Sequence, residues 1–425
     1  MSGTNPEESG AAVPATNWAG NITFHAARRE RPEDLAALQA LVAGSSRVRA
    51  LGTGHSFSGV ADTDGLLVSL AGLPRTARVD ADQRTVTIGG QWTYGELAME
   101  LDRAGLALPN TGSLPHISVA GACATGTHGS GTHNQALAAS VRGVTIVTAT
   151  GDAVRRERGH PDFDGAVLAL GRLGIAVEMT LDVVPTFDLA QTVVEQVPAA
   201  RVESALADIL AAAYSVSVFT TWGLDRLDDI WVKQLVGAEP LAELWGGRVA
   251  QEARHPVAGM PPENTTQQLG VPGPWHERLP HFRLEFMPSA GDELQSEYLV
   301  PAARATAAWR ALDGIREVLH PLLHVSELRA VAPDPMWLSL TGGQPCVAFH
   351  FTWKTVPGVA DGVAAVEAQL SGHDARPHWG KVFSTPPREL ARLYPRLPDF
   401  RRLVHDLDPG ATFGQDLVDT WLGLA

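Results

Sequence analysis

Two spacings of apolar residues alternate along the chain, and they mark where helices and strands are expected. In "RPEDLAALQALVAGS" Leu35, Leu38 and Val42 form one stripe, Pro32 suits a first turn, and Glu33 and Asp34 favour its positive end, which predicts a helix from Arg31. Short apolar runs follow in "RVRAL", "LLVSL" and "TVTIGG", where Val86 and Ile88 alternate as on a strand. The capping box Thr93-x-x-Glu96 opens a second helix that Gly105 ends. "VRGVTIVTATGDAV" reads as a hairpin turning at Thr150-Gly151-Asp152, and "GIAVEMTLDVVP" places Ile175, Val177, Met179 and Leu181 on one face of a strand. Past Pro185, "AARVESALADILAAAY" returns to helical spacing. The mixture is that of an α+β protein.

Two stretches break the pattern. "LALPNTGSLPHISVAGACATGTHGSGTHNQALA", residues 106 to 138, carries prolines and small residues that leave little scope for helix or strand before its end. Glycines at 112, 121, 126, 129 and 131 let the backbone approach a ligand, and successive N–H groups make an anion nest. Ile117, Val119 and several alanines ask for burial, which argues against a mere surface loop. The other stretch is "HPVAGMPPENTTQQLGVPGPWHERLPHF": six of the chain's 29 prolines fall in residues 256 to 280, so an irregular connection or a surface against another subunit is expected.

Two later strands carry polar pairs. In "SELRAVA" Glu327 and Arg329 point to one face; in "VAFHFTW" Val347, Phe349, Phe351 and Trp353 take one face and His350 and Thr352 the other. If the strands are neighbours, the four polar side chains share a floor; a solvent-exposed sheet face is the bland alternative. Lys381, in the rather apolar "ARPHWGKVFSTP", would lose stability as an ammonium if buried near an arginine and would then suit a proton acceptor; the alternative is a side chain that reaches solvent.

Composition narrows the partners. Lys plus Arg is 33 against 47 Asp plus Glu, a formal charge of −14, so nucleic acid and anionic membranes are poor partners. Cys123 and Cys346 are too few for a disulfide framework or a cysteine-built metal site, and no metal is expected. No apolar run approaches the roughly 20 residues of a membrane helix. The first fifteen residues lack the basic start and apolar core of a secretory signal, which leads to the expectation of a disordered lead (1–15) and a cytoplasmic protein.

"ALGTGHSFSGV", residues 50 to 60, puts His55 and Ser56 in a glycine-rich turn after a strand. It is one residue from the G-x-S-x-G elbow of serine hydrolases, with Ser56 as the rival nucleophile. The other reading is a cofactor loop in which His55 acts on the ligand.

Taken with "LPNTGSLPHISVAGACATGTHGSG", "ELR…HFTW…HWGKVF", "TNWAGN" and "GVPGPWHERLPHFRLEF", this loop resembles those of the FAD-linked oxidases of the vanillyl-alcohol oxidase superfamily, most closely its alditol (xylitol) oxidases. The resemblance implies an FAD-binding domain over 16–185, a substrate domain with an antiparallel sheet over the flavin at 186–385, and a segment 386–425 returning to the first. It implies FAD bonded covalently to His55 through the 8α-methyl, with further cofactor contacts from Leu51, Gly52, Thr53, Gly54, Ser56, Ser113, Ser118, Gly121, Thr125, Gly126, Thr127, His128 and the Gly174–Ala176 stretch. The substrate set falls on Ser113, Glu327, Arg329, Thr352 and Lys381, with His350 alongside.

The implied reaction is oxidation of a terminal CH–OH of a polyol to an aldose, by hydride transfer to flavin N5, with O2 reduced to H2O2. Lys381 is the expected base, Arg329 the group that favours negative charge, and a monomer the expected form. A dehydrogenase or sugar-lactone oxidase with another electron acceptor is the alternative. Gly112 stands where relatives carry a larger small residue, which would leave oxygen access open. Gln415 and Asp416 stand where asparagine is more usual, residues 236 to 256 match poorly, and Cys123 offers a thiol inside the second loop.

Overall fold

A computed structural model describes residues 13–223, 225–286 and 293–424. Residues 1–12 of the expected lead lie outside the described residues; of the other three, Val13 is buried against Phe24, and Ala15 O accepts from the Phe24 N–H at 2.8 Å.

The first helix runs Leu35–Ala43, not from Arg31, because the Asp34 carboxylate accepts from the Ala37 N–H and so acts as the N-cap. Leu38 and Val42 are buried while Leu35 is exposed, so the stripe is narrower than predicted. Strands Arg28–Glu30, Leu66–Ser69 and Val48–Leu51 form a small parallel sheet, and the last delivers the chain into the His55 loop. The capping box at Thr93 is formed as predicted and starts the helix Tyr94–Arg103. A five-stranded antiparallel sheet combines Ala77–Asp80, Thr85–Gly89, the hairpin Val141–Val147/Ala153–Glu157 and the strand Ile175–Asp182, whose four alternating apolar residues are all buried.

The long loop does contain a helix, Val119–Thr125, which corrects the expectation that regular structure would wait until its end. Its seven residues, "VAGACAT", are too few to be helical alone despite three alanines; burial of Val119, Ala122 and Cys123 in the first core holds them there.

A nine-stranded antiparallel sheet occupies the rest of the molecule. At its centre lie, in spatial order, Asp229–Leu235, Ser215–Thr220, Leu323–Val331, Cys346–Lys354 and Glu293–Pro301. One face, carrying Leu328, Phe349, Phe351, Trp353 and Tyr298, packs in one core with the helices Ala199–Ala211, Ala305–Asp313 and Val359–Leu370. The other face is turned to the first half of the chain: Arg329 Nη1 lies 3.4 Å from Ser113 Oγ and His128 Nε2 3.2 Å from Glu297.

The proline-rich segment is irregular, as expected, and folds back on the chain itself, with Trp275 fully buried and its N–H bonded to Phe187 O at 3.1 Å. Leu390, Phe400 and Trp421, on the closing helices Pro387–Leu393, Leu397–Leu407 and Asp416–Leu422, join the same core as Val86 and Val119. Among the described residues no helix is long and apolar enough to cross a membrane.

Candidate active site

Antiparallel pairing sets the site. Glu327 lies directly opposite His350, and His350 directly opposite Glu297 on the third strand, so one row of polar side chains crosses three strands. The next positions along the same face are Arg329 and Thr352. All five are buried, which removes the reading of an exposed sheet face. Lys381 reaches the row from the segment after the short strand Arg376–Pro377, anchored by the Val382 N–H to Gln295 O at 2.8 Å.

Glu297 is the hub. Arg329 Nη2 donates to its Oε1 at 2.6 Å and Lys381 Nζ contacts its Oε2 at 2.7 Å. His128 Nε2 lies 3.2 Å from Oε1 without the alignment of a hydrogen bond. Burial opposes ionisation of Glu297, but Lys381 and Arg329 outweigh it and hold the carboxyl well below its ordinary range. Glu327 is held low in the same way, against burial, chiefly by Arg329 and His281. His128, Glu297 and His378 are metal-ligating types brought close together, yet their one carboxylate is already neutralised by two cations.

The hydrogen bonds fix tautomers. Lys381 Nζ is 2.7 Å from His350 Nδ1, so that nitrogen accepts and the ring proton sits on Nε2, 3.1 Å from Thr352 Oγ1. Burial and the neighbouring Lys381 push His350 down to about 4, which keeps it neutral. Burial also lowers Lys381, as the sequence suggested, although the Glu297 carboxylate works the other way.

The two glycine-rich loops meet over this floor. The Ser118 N–H donates to Thr53 Oγ1 at 3.1 Å, joining one loop to the other. A Cβ on Gly52 would press on Ser118 Oγ, and one on Gly121 would come within 2.7 Å of it, so glycine at both positions leaves room for that hydroxyl between the loops. The Phe57 N–H donates to Gly380 O at 2.7 Å and Ser58 Oγ to Trp379 O at 2.9 Å, which bind the His55 loop to the Lys381 segment. Arg329 Nη1 is 3.4 Å from Ser113 Oγ, tying the second loop to the polar row. A Cβ on Gly112 would make only ordinary contacts, 3.5 Å to Thr127 and 3.6 Å to Ile117.

His55 stacks on Trp18, ring centroids 5.3 Å apart, and both of its ring nitrogens are buried with no hydrogen-bond partner among the described residues. Burial, then His116, pushes it down to about 4. A neutral imidazole with partnerless nitrogens on a glycine-lined loop fits attachment to an external group. It does not fit a serine hydrolase, because among the described residues the hydrogen bonds found at Ser56 give its hydroxyl no histidine partner.

Of the other expected positions, Leu51 ends the strand before the loop and is buried; Gly54 and Gly126 have positive φ; Thr125 Oγ1 donates to Gly121 O at 3.1 Å within the short helix; Thr127 follows it; and His128 faces Glu297. Gly174, with positive φ, lies against Val147 and Ile146 just before the strand Ile175–Asp182, and Ala176 O lies against Gly90. Gln415 caps the last helix through the Val418 N–H at 2.8 Å and donates to Gly59 O at 3.1 Å, while exposed Asp416 pairs with Arg47. Cys123 and Cys346 are both free, and burial pushes the Cys123 thiol, against Tyr94, up to about 12, so it offers no thiolate.

The sequence reading missed Glu297, His281 and Lys233. Glu297 had a signal: Gln295 and Glu297 in "LQSEYLVP" are a polar pair two apart, like Glu327 and Arg329.

Comparison with known proteins agrees with this geometry. Residues 27–156 match an FAD binding domain family and residues 291–421 a D-arabinono-1,4-lactone oxidase family. The chain is 49% identical to an alditol oxidase of a Streptomyces species, over 96% of this chain and 100% of that one. It is 28% identical to an L-gulono-1,4-lactone dehydrogenase of Mycobacterium tuberculosis, over 96% and 99% of the two chains. A solved cholesterol oxidase superposes with a TM-score of 0.76 at 15% identity, covering 96% of this chain and 97% of that one, which shows a shared two-domain fold. The chain therefore belongs to the alditol oxidase family of FAD-binding oxidases.

Proposed function

We propose that the protein oxidises the terminal CH–OH of a polyol such as xylitol, sorbitol or glycerol to an aldose, with FAD as cofactor and O2 as the final acceptor, yielding H2O2. The observation that carries this reading is the buried row Glu327–His350–Glu297 with Arg329, Thr352 and Lys381 beside it, under the two glycine-rich loops. Such a surface offers matched hydrogen bonds and little apolar contact, which suits a substrate made of hydroxyls; each buried group left unpaired would cost on the order of 1–3 kcal/mol.

FAD, when bound, supplies the acceptor for the hydride. The loops around Gly52–Ser56 and Ser113–His128 would hold it, with the neutral, partnerless His55 as the attachment point at the 8α carbon. Lys381, an ammonium at rest beside Glu297 whose charged form burial disfavours, takes the hydroxyl proton once it has lost its own, and Glu297 keeps its Nζ in place at 2.7 Å. Arg329 stabilises negative charge on the substrate oxygen. Glu327, Thr352 and Ser113 bind the remaining hydroxyls. In this reading 16–185 is the FAD domain, 186–385 the substrate domain and 386–425 the returning segment, supported by the shared core of Val86, Val119 and Phe400. A cytoplasmic monomer is the expected form.

A lactone reading has some support in the D-arabinono-1,4-lactone oxidase match over 291–421. Incubation of the FAD-loaded protein under air with xylitol and with a sugar lactone decides between them: peroxide with xylitol is expected, and peroxide with the lactone alone would overturn the polyol reading. Acid precipitation tests the attachment, since yellow colour should stay with the pellet.

A further inference from the structure

The polar floor continues behind Glu327 into residues for which the reaction above has no use. Lys233, on the strand Asp229–Leu235, is completely buried, and its ammonium contacts Leu279 O, Pro280 O at 3.1 Å and His281 Nδ1 at 3.1 Å. Three N–H donors thus meet three acceptors. A ring nitrogen that accepts from an ammonium carries no proton, so the His281 proton is on Nε2, 2.8 Å from Glu327 Oε1. Phe219 and Trp231 pack edge-on to the His281 ring at 5.7 and 5.3 Å and fix its plane. The His281 backbone N–H donates to Ser113 O at 3.0 Å, while Ser113 Oγ is reached by Arg329, whose Nε is 3.6 Å from Glu327 Oε1. The contacts close a ring: Ser113, Arg329, Glu327, His281.

We propose that His281, held by Lys233 as the Nε2–H tautomer, is a positioning residue that occupies Oε1 of Glu327, leaves Oε2 to accept from a substrate hydroxyl, and fixes the Ser113 loop through its backbone. This rests on the assignment of Glu327 and Ser113 to substrate binding made above. Its consequence is selective: a carboxylate so clamped only accepts, so it recognises an alcohol and rejects a carbonyl or carboxylate at the same place. Four groups face Glu327: Arg329 on its own strand, His350 on the next, and His281 with Lys233 behind it. Arg329 favours its ionised form by charge and His281, neutral because burial holds it at about 4, favours it by donating its Nε2–H.

The test uses the FAD-loaded protein and the variants His281→Ala, His281→Gln, Lys233→Met and Glu327→Gln. His281→Ala is expected to raise KM for xylitol roughly 10- to 100-fold with a much smaller change in kcat, the loss of a hydrogen bond to a charged group. The acid limb of kcat/KM should move to higher pH, because Glu327 loses a donor that favours its ionised form. His281→Gln, whose amide can donate from nearly the same place, should restore most of the affinity. NMR of ¹⁵N-histidine-labelled protein should show His281 neutral with the proton on Nε2, and mixed tautomers in Lys233→Met; this readout decides even if His281→Ala fails to fold. An unchanged KM and acid limb in His281→Ala, or an Nδ1–H tautomer in the wild type, would overturn the proposal. Glu327→Gln separates the two levels: if it leaves KM unchanged, the substrate assignment itself fails; if it raises KM while His281→Ala does not, only the positioning role fails.

Discussion

The His55 loop and the Glu297 floor are both buried and polar, yet they are completed in opposite ways. On the floor each charge meets a partner inside the protein: Glu297 the cations of Arg329 and Lys381, Glu327 the Arg329 cation and the Nε2–H of neutral His281. At the loop, His55 has two buried ring nitrogens and no partner among the described residues, only the Trp18 ring beside it. A buried network this well paired is rigid before substrate arrives, which lets binding energy go into the reaction in place of ordering side chains. An imidazole left without partners is poor for stability and suited to forming a bond with something the chain does not itself contain.

Breaking the floor at its most shared point should have the largest effect. Arg329→Met leaves Glu297 and Glu327 without their common cation; removing one partner of a buried pair costs about 3–5 kcal/mol, so a lowered melting temperature and loss of detectable polyol oxidation are expected, measured by calorimetry and peroxide assay. Lys381→Met is expected to lower kcat by roughly 10²- to 10⁴-fold, the scale of general base catalysis, with flavin content unchanged. Lys381→Arg should not rescue it, because a guanidinium does not deprotonate; steady-state rates against pH should show the rise toward the amine form only in the wild type.

A milder stress compares the two regions within one molecule. His55, His281 and His350 are each pushed down to about 4 by burial, against an unfolded value of about 6.5. The unfolded chain then binds protons first, so their contribution to stability is complete above about pH 6.5 and is lost as pH falls toward 4. Glu297 and Glu327, held low, keep their contribution until more acid conditions still. The melting temperature should therefore fall between pH 6.5 and 4; a flat profile would contradict the neutral histidines. The smallest effect on folding is expected for His55→Ala, which removes no protein hydrogen bond: FAD should become dissociable and oxidation slower, with the melting temperature of the flavin-free protein nearly unchanged.

The sequence made some of this visible and hid the rest for physical reasons. Period 2 was enough to put Glu327 with Arg329 and His350 with Thr352 on common faces, since one strand alone determines that. That those faces join, and that Glu297 completes the row, depends on strand register between segments far apart in the chain. Lys233 gave no sign, because a lysine in a strand ordinarily reaches solvent, and His281 lies in a proline-rich segment with no period to place it. The helix Val119–Thr125 was hidden by its shortness and by the glycine within it, since seven residues are held helical by packing.

The central claim is that this floor binds a polyol for oxidation by the flavin. Anaerobic mixing of the FAD-loaded protein with xylitol, followed by visible absorbance, tests it most directly. The yellow colour should bleach in the wild type and persist in Arg329→Met. A wild-type protein that stays yellow with xylitol, sorbitol and glycerol, yet bleaches with a sugar lactone, would contradict it.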